Sequence, residues 1–246
     1  MKTPRFINKD KPVMKPEQVR DISYTLRRYY VDRFHEDVFC DRAFCGGLIL
    51  DLGGNRKSKR GLFDIDCYDG TVIYANISAS KSPDTVTDAE SLPFAPATFE
   101  TVICSELLEH VYRPQNVLKE VFRTLKPGGT LLVCVPFMVG VHGDPYDYGR
   151  YTDSYWRRAL DDIGYSNVEI MAQGAFFSVA YDMLRALVYG AISQWGTERR
   201  ISIAMIGRAL GLLKLKAIDL DNRTLSSTGS KTQVYTTGFG IKATKK

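Results

Sequence analysis

The sequence predicts an α/β fold, a mostly parallel sheet with helices on both faces. Three observations predict it. Short, near-continuously apolar runs recur, at 48–50, 71–74, 98–104 and 130–135. Strands covered on both faces read this way. Segments of helical period follow several of these runs, so strands and helices alternate along the chain. The first run also ends in Asp51-Leu52-Gly53-Gly54-Asn55, an acidic residue and a tight glycine turn. In an open parallel sheet, ligands sit at such carboxyl ends.

The length of 246 residues suits one α/β domain with additions. Hydrophobic residues make up 44% and charged residues 25%, which excludes a disordered or collagenous chain. The net charge of +5 permits an anionic ligand, a membrane surface or nucleic acid and demands none. The N-terminal arm carries Lys2, Arg5, Lys9, Lys11, Lys15 and Arg20 against Asp10 and Glu17, and reads as a solvated arm. No apolar run follows, so no secretory leader is expected, and a cytoplasmic location is the default. The cysteines are Cys40, Cys45, Cys67, Cys104 and Cys134, an odd count without CxxC, so no disulfide scaffold is expected. Cys40, Cys45 and His35 match no zinc spacing, and a fourth ligand is missing.

Pro16 opens a helix over 16–39, with Val19, Ile22, Leu26, Tyr29, Tyr30 and Phe34 at helical spacing. It reads either as a helix packed on the main domain or as a lid over a pocket. Strands follow at 48–50 and 71–74, with a shortened helix between them, because 56–70 is charged and lacks a helical stripe. Residues 84–87 form a weak third strand, and 98–104 a fourth. A helix over 116–125 carries Val117, Leu118, Val121 and Leu125 inward, and Pro127-Gly128-Gly129 turns the chain into a fifth strand. A helix at 153–163, closed by Gly164, leads to a sixth strand at 166–171. The apolar stretch 176–192 is helical in period. So is 201–217, though Gly207 and Gly211 weaken it. A last strand is expected over 233–243. The organisation is then an arm and helix at 1–46, a core at 47–175, an apolar helical addition at 176–217, and 218–246 completing the core.

Four segments fall at strand ends: DLGGN, Asn76, DAESLPF and SELLEHV. Neither GxGxxG nor GxxxxGK[ST] occurs, so no phosphate cradle is present. The ordered set DLGGN, DAESLPFAPATFETV, CSELLEHV and VLKEVFRTLKPGGTLLVCVPF, over about 47–136, resembles the class I S-adenosylmethionine-dependent methyltransferases. The branch is similar to the enzymes of ubiquinone and menaquinone biosynthesis. HGDPYDYGRYT at 142–152 also resembles members associated with surface polysaccharides. The resemblance implies a Rossmann-like seven-stranded sheet, mostly parallel, with an antiparallel last strand at the sheet edge. It implies that Asp51, Gly53 and Gly54 line the methionine end of S-adenosylmethionine. Asn76 stands at the ribose, Asp88 and Ala89 flank the adenine, and Ser105 and Leu107 close the pocket.

Two departures stand out. Asn55 and Lys57 replace the second and third spaced glycines, and Asn76 replaces an acidic ribose ligand. A charged hydrogen bond contributes about 1.5–3 kcal/mol and a neutral one about 0.5–1.5 kcal/mol, so Asn76 weakens cofactor binding by about tenfold. In the loop after strand five, His142 is the candidate base, with Asp144 as its alternative or orienter. Arg150 is placed to hold an anionic acceptor, or to pair locally with Asp147. Tyr146 and Tyr148 are placed to stack on a ring, and His110 to position a substrate. No metal is expected, since His142, Asp144 and Asp147 in one turn recur without one.

The expected activity is methyl transfer to a small molecule, with an oxygen of a saccharide or a lipid-linked precursor as the expected acceptor. The apolar 176–217 reads as a helical cap or homodimer face, or as a peripheral contact with a membrane or lipid-linked acceptor. It is too short in uncharged residues to span a bilayer. The alternative is a catalytically weak protein that binds the cofactor, motivated by Asn55, Lys57 and Asn76. A nucleic-acid substrate is not expected, because the charge is mild and no D/N-PP-Y/F/W motif occurs. A nicotinamide dehydrogenase is disfavoured by the missing GxGxxG.

Overall fold

The computed structural model describes residues 14–41, 47–56, 61–68, 70–143, 145–192, 200–228 and 235–246. Seven strands form one sheet: β1 (Leu48–Leu52), β2 (Thr71–Asn76), β3 (Thr85–Val86), β4 (Phe99–Ser105), β5 (Leu125–Pro136), β6 (Tyr165–Gln173) and β7 (Gly238–Lys245). Their spatial order is β3-β2-β1-β4-β5-β7-β6. The strands from β1 to β5 pair in parallel, and β7 runs antiparallel to both β5 and β6. The last strand is therefore antiparallel as expected, but it does not lie at the sheet edge. It slots between β5 and β6, and β6 takes the edge. Burial explains the placement: Ile241 and Ala243 are fully buried, whereas β6 between its ends alternates between half-buried and exposed positions. That alternation is the mark of a strand with one face in water.

Period-two alternation sends the strand side chains to two cores. Val102 and Cys104 of β4, with Leu131, Val133 and Val135 of β5, pack against α3 (Pro114–Thr124) and α4 (Asp153–Ile163) through Val117, Leu118, Val121, Trp156 and Leu160. Their neighbours Ile103, Leu132 and Cys134 face the other way, onto Val31, Phe34 and Val38 of α2 (Leu26–Phe39). Gly164 ends α4 with φ 107°, and its amide reaches Leu160 O and Asp161 O.

The helix expected over 16–39 is two helices, α1 (Pro16–Arg20) and α2. The break is chemical. Asp21 Oδ1 accepts from the amide and hydroxyl of Ser23, forming a turn, and the Thr25 hydroxyl then accepts from Arg28 N to start α2. Between β1 and β2 the described residues carry only a 3-10 turn, Ile65–Cys67, in keeping with the shortened first helix. Lys57 lies outside the described residues.

The apolar addition forms α5 (Phe176–Ile192) and α6 (Arg200–Thr228), and α6 runs straight through Gly207 and Gly211. Gly211 serves close approach, since a Cβ there would lie 2.8 Å from Arg20 O of α1. Buried polar groups staple these helices together. Asp221 of α6 accepts from Ala175 N, Phe177 N and Ser178 N at the start of α5. Asp182 of α5 accepts from Leu26 N and Arg27 N at the start of α2. Carboxylates at helix N-termini satisfy orphan amides and complement the dipole. Lys214 of α6 donates to Asp21 O and Tyr24 O. No described helix is long and apolar enough to cross a membrane.

Candidate active site

A cleft of about 720 Å³ opens at the carboxyl ends of β1, β2 and β4. Its floor is the turn after β1. Gly53 has φ 86°, and its amide donates to Ala75 O at 2.8 Å. A Cβ on Gly54 would lie 2.3 Å from Asp51 Oδ2, so the turn folds against that carboxylate only because residue 54 has no side chain. Asn76 locks the turn from β2: its Nδ2 donates to Gly53 O at 2.9 Å and to Gly54 O at 3.0 Å, and its Oδ1 accepts from Ser78 N. Asp88 and Ala89 line the wall after β3, and Asp88 Oδ1 accepts from Glu90 N in a tight turn. Ser105 and Leu107 line the wall after β4.

The opposite wall comes from α2. Arg28, Val31, Asp32 and His35 line the cleft, so the helix is both packed on the sheet and part of the pocket. His35 Nε2 lies 2.9 Å from Ser105 Oγ. Burial, reinforced by the Arg28 charge, pushes the His35 imidazole down to about 3, so it is neutral at ordinary pH. Sequence reading assigned His35 no role beyond the zinc idea, because a histidine inside an apolar helical stripe carries no local signal of a partner 70 residues away.

Two buried acids follow β4. Glu106 sits at φ 53° and pairs with Arg27 of α2, with Oε1 2.5 Å from Nη2. Burial alone would raise its carboxyl, but the Arg27 charge and hydrogen bonds outweigh that and hold it below the usual range. Arg27 in turn donates to Gln173 Oε1. Glu109, three residues on, is also buried. Burial, then the Glu106 charge, push its carboxyl up to about 8.

The loop after β5 crosses the mouth. Tyr146 and Tyr148 line the cleft beside Tyr112, with Tyr112 and Tyr148 ring centroids 5.5 Å apart and Tyr146 and Tyr148 5.7 Å apart. The three rings form an exposed aromatic shelf. His110 lines the cleft too, and its Nδ1 lies 2.6 Å from Tyr146 O. His142 packs edge-on against His110 at 5.2 Å and is not itself among the residues that line the cleft. Arg150 grips Asp147 through both terminal nitrogens and also donates to Gly149 O, so its guanidinium is committed within the loop. Asp147 is held down to about 2 by that hydrogen bonding. Asp144 lies outside the described residues. The structure thus gathers Asp51, Gly53, Gly54, Asn76, Asp88, Ala89, Ser105 and Leu107 around one cleft, with His110, Tyr146 and Tyr148 at its mouth.

Residues 45–133 match the model of a methyltransferase domain. Over 121 residues the chain is 30% identical to the ubiquinone biosynthesis O-methyltransferase of Ruegeria pomeroyi, covering 44% of this chain and 48% of that protein. Over 95 residues it is 42% identical to the demethylmenaquinone methyltransferase of Mycobacterium tuberculosis, covering 36% of this chain and 41% of the relative. The chain therefore spans less than half the length of these curated relatives. The fold is similar to that of the [4+2]-cyclase SpnF, with a TM-score of 0.54 at 18% identity over 87% of this chain and 81% of that one. It is also similar to phosphoethanolamine N-methyltransferase 2 of Haemonchus contortus, solved with S-adenosyl-L-methionine. There the TM-score is 0.53 at 13% identity, covering 99% of this chain and 61% of that one.

Proposed function

We propose that this chain, whose residues 45–133 match a methyltransferase domain, is of the class I S-adenosylmethionine-dependent type and transfers a methyl group from S-adenosylmethionine to a small molecule. The observation that carries the reading is the tight turn at Asp51–Gly54, at the carboxyl end of β1, which folds against the Asp51 carboxylate only because residue 54 has no Cβ. The cofactor fits the donors present. Asp51 and the turn backbone suit the amino-acid end, the Asn76 side suits the ribose, and Asp88 with Ala89 suits the adenine. Once bound, the cofactor supplies an electrophilic methyl group on a sulfonium. The chain's own part is to hold the acceptor in line, exclude water and take a proton from the attacking group. α2 and the tyrosine shelf narrow the cleft from two sides, which serves the first two tasks. His142 is the proposed base, with Asp144 as its orienter or substitute.

The tyrosine shelf favours an acceptor with a ring. Our finer reading is an oxygen of a saccharide or lipid-linked precursor, stacked on Tyr146 and Tyr148. A phenolic ring would use the same shelf, so acceptors of both kinds belong in the assay. For the exposed apolar side chains of α5 and α6, among them Met183, Leu187, Met205 and Leu212, we propose contact with a lipid surface or a second copy of the chain.

A second reading, a weak binder of the same cofactor, is favoured by Asn76. Both donors of its amide are spent on the turn carbonyls, and its oxygen already accepts a hydrogen bond. Titration with S-adenosylmethionine and transfer of a labelled methyl group to sugar, lipid-linked sugar and phenol extracts test the two readings. Micromolar binding with transfer, reduced about tenfold or more in Asp51→Ala, supports the enzyme. Millimolar binding without transfer supports the weak binder.

A further inference from the structure

Glu109 is an anomaly that the methyl-transfer reading does not use. Its side chain is 1% exposed, and among the described residues neither carboxylate oxygen accepts a hydrogen bond. Buried carboxylates are normally paired or bind a cation. Two imidazoles face it: His110 Nε2 lies 3.6 Å and His142 Nε2 4.0 Å from Glu109 Oε1.

The far nitrogens fix what those near ones present. His110 Nδ1 lies 2.6 Å from Tyr146 O, and His142 Nδ1 lies 3.1 Å from Gly140 O. A carbonyl oxygen only accepts, so a neutral His110 carries its hydrogen on Nδ1 and turns a lone pair on Nε2 toward the carboxylate; His142 does the same when its Nδ1 donates to Gly140 O, its nearer neighbour than Arg150 Nη2 at 3.4 Å. Three acceptors then converge with no donor between them, which calls for positive charge at their centre.

We propose that Glu109, His110 and His142 bind a divalent transition-metal cation of the zinc type. Zinc bonds of about 2.0–2.2 Å in a tetrahedron set neighbouring ligand atoms about 3.3–3.5 Å apart. The observed 3.6 and 4.0 Å need only a small closure. His142 has 42% of its side chain exposed, on a loop beside Gly143, and is placed to make it. Two imidazoles favour zinc, cobalt or nickel over magnesium or calcium, which prefer oxygen. The outer contacts are those of metal-binding histidines, whose second nitrogen donates to a carbonyl or carboxylate. Here they are Tyr146 O and Gly140 O, with Asp147 Oδ2 3.7 Å from His142 Nδ1.

Three protein ligands leave a tetrahedral position open, and of the three His110 lines the cleft. If the methyl-transfer reading holds, the metal takes the place of His142 as base, since it occupies that ring's Nε2: a hydroxyl bound there loses its proton more readily than one in water. The metal site itself does not depend on that reading.

The test is titration of the metal-stripped full chain with Zn²⁺ by calorimetry and with Co²⁺ by visible absorption, and of the same sample with S-adenosylmethionine. One equivalent at micromolar affinity is expected, with the intense Co²⁺ bands of a four-coordinate site. Glu109→Gln and His142→Ala should each weaken binding at least tenfold, and Zn²⁺ should raise the melting temperature of the wild type alone. Glu109→Gln keeps the shape of the buried side chain without a charge and serves as the informative variant. Two results overturn the proposal. One is the absence of Zn²⁺ and Co²⁺ binding in the wild type, which gives the centre of the cluster to a proton. The other is binding that survives both variants and disappears in Cys40→Ser. S-adenosylmethionine binding without metal binding refutes the metal site alone, and the reverse refutes the methyl-transfer reading alone.

Discussion

Asn76 shows how a single side chain sets the character of the cleft. An aspartate there would set one carboxylate oxygen against both Gly53 O and Gly54 O, where the amide nitrogen now donates to both. Asn76→Asp should therefore lower stability by about 1–3 kcal/mol and leave cofactor affinity no better. Thermal melts and titration of that variant check this, and tighter binding would show that ribose contact outweighs the turn. His35 gives a second residue-scale prediction. Its imidazole titrates near 3 when folded and near 6.5 when unfolded, so the unfolded chain takes up the proton first. Stability is then lost as pH falls from about 6.5 towards 3, by roughly 1.4 kcal/mol per unit. Between pH 7 and pH 5, His35→Gln should lose about 2 kcal/mol less than wild type in urea melts. The turn residues Asp51, Gly53 and Gly54 were legible in the sequence because a glycine turn after an apolar run has a local signature. The orphaned Glu109 and the His35–Ser105 bond were not, because both depend on partners distant in sequence.

At the scale of elements, α5 depends on a carboxylate that is not its own. Asp221, fully buried on α6, satisfies three amides at the start of α5. Asp221→Ala should cost about 3 kcal/mol, more than an ordinary cap, because three buried donors lose a charged acceptor together. Chemical denaturation measures that cost, and a loss under about 1 kcal/mol would mean that water replaces the carboxylate. The bounds of α4 and α5 could be read from periodicity, since Asp153–Ile163 and Phe176–Ile192 carry apolar stripes with clear ends. The division of 16–39 into α1 and α2 could not. Its apolar spacing continues across the break, and only the Asp21–Ser23 turn and the Thr25 cap reveal it. Gly211 misled for a related reason: it weakens a helix by propensity, yet it is what lets α1 lie against α6.

At the largest scale, the described residues form a mostly parallel sheet with a helical annex that also lines its cleft. α2 lines the pocket with one face, and α5 caps that same helix through Asp182. Loosening the annex should therefore reach the pocket. Asp182→Asn should weaken S-adenosylmethionine binding several-fold with no change in any cofactor contact, which titration of that variant measures. The sheet's class was evident from its apolar runs, but the position of β7 between β5 and β6 was not, because strand order is a property of the assembled sheet. The central claim is that the cleft at β1, β2 and β4 is built for S-adenosylmethionine. Calorimetric titration of the intact chain with S-adenosylmethionine and its demethylated product tests it most directly. The account predicts one site of micromolar affinity for each, weakened in Asp51→Ala. Equal binding by wild type and Asp51→Ala, or no binding at all, would contradict it.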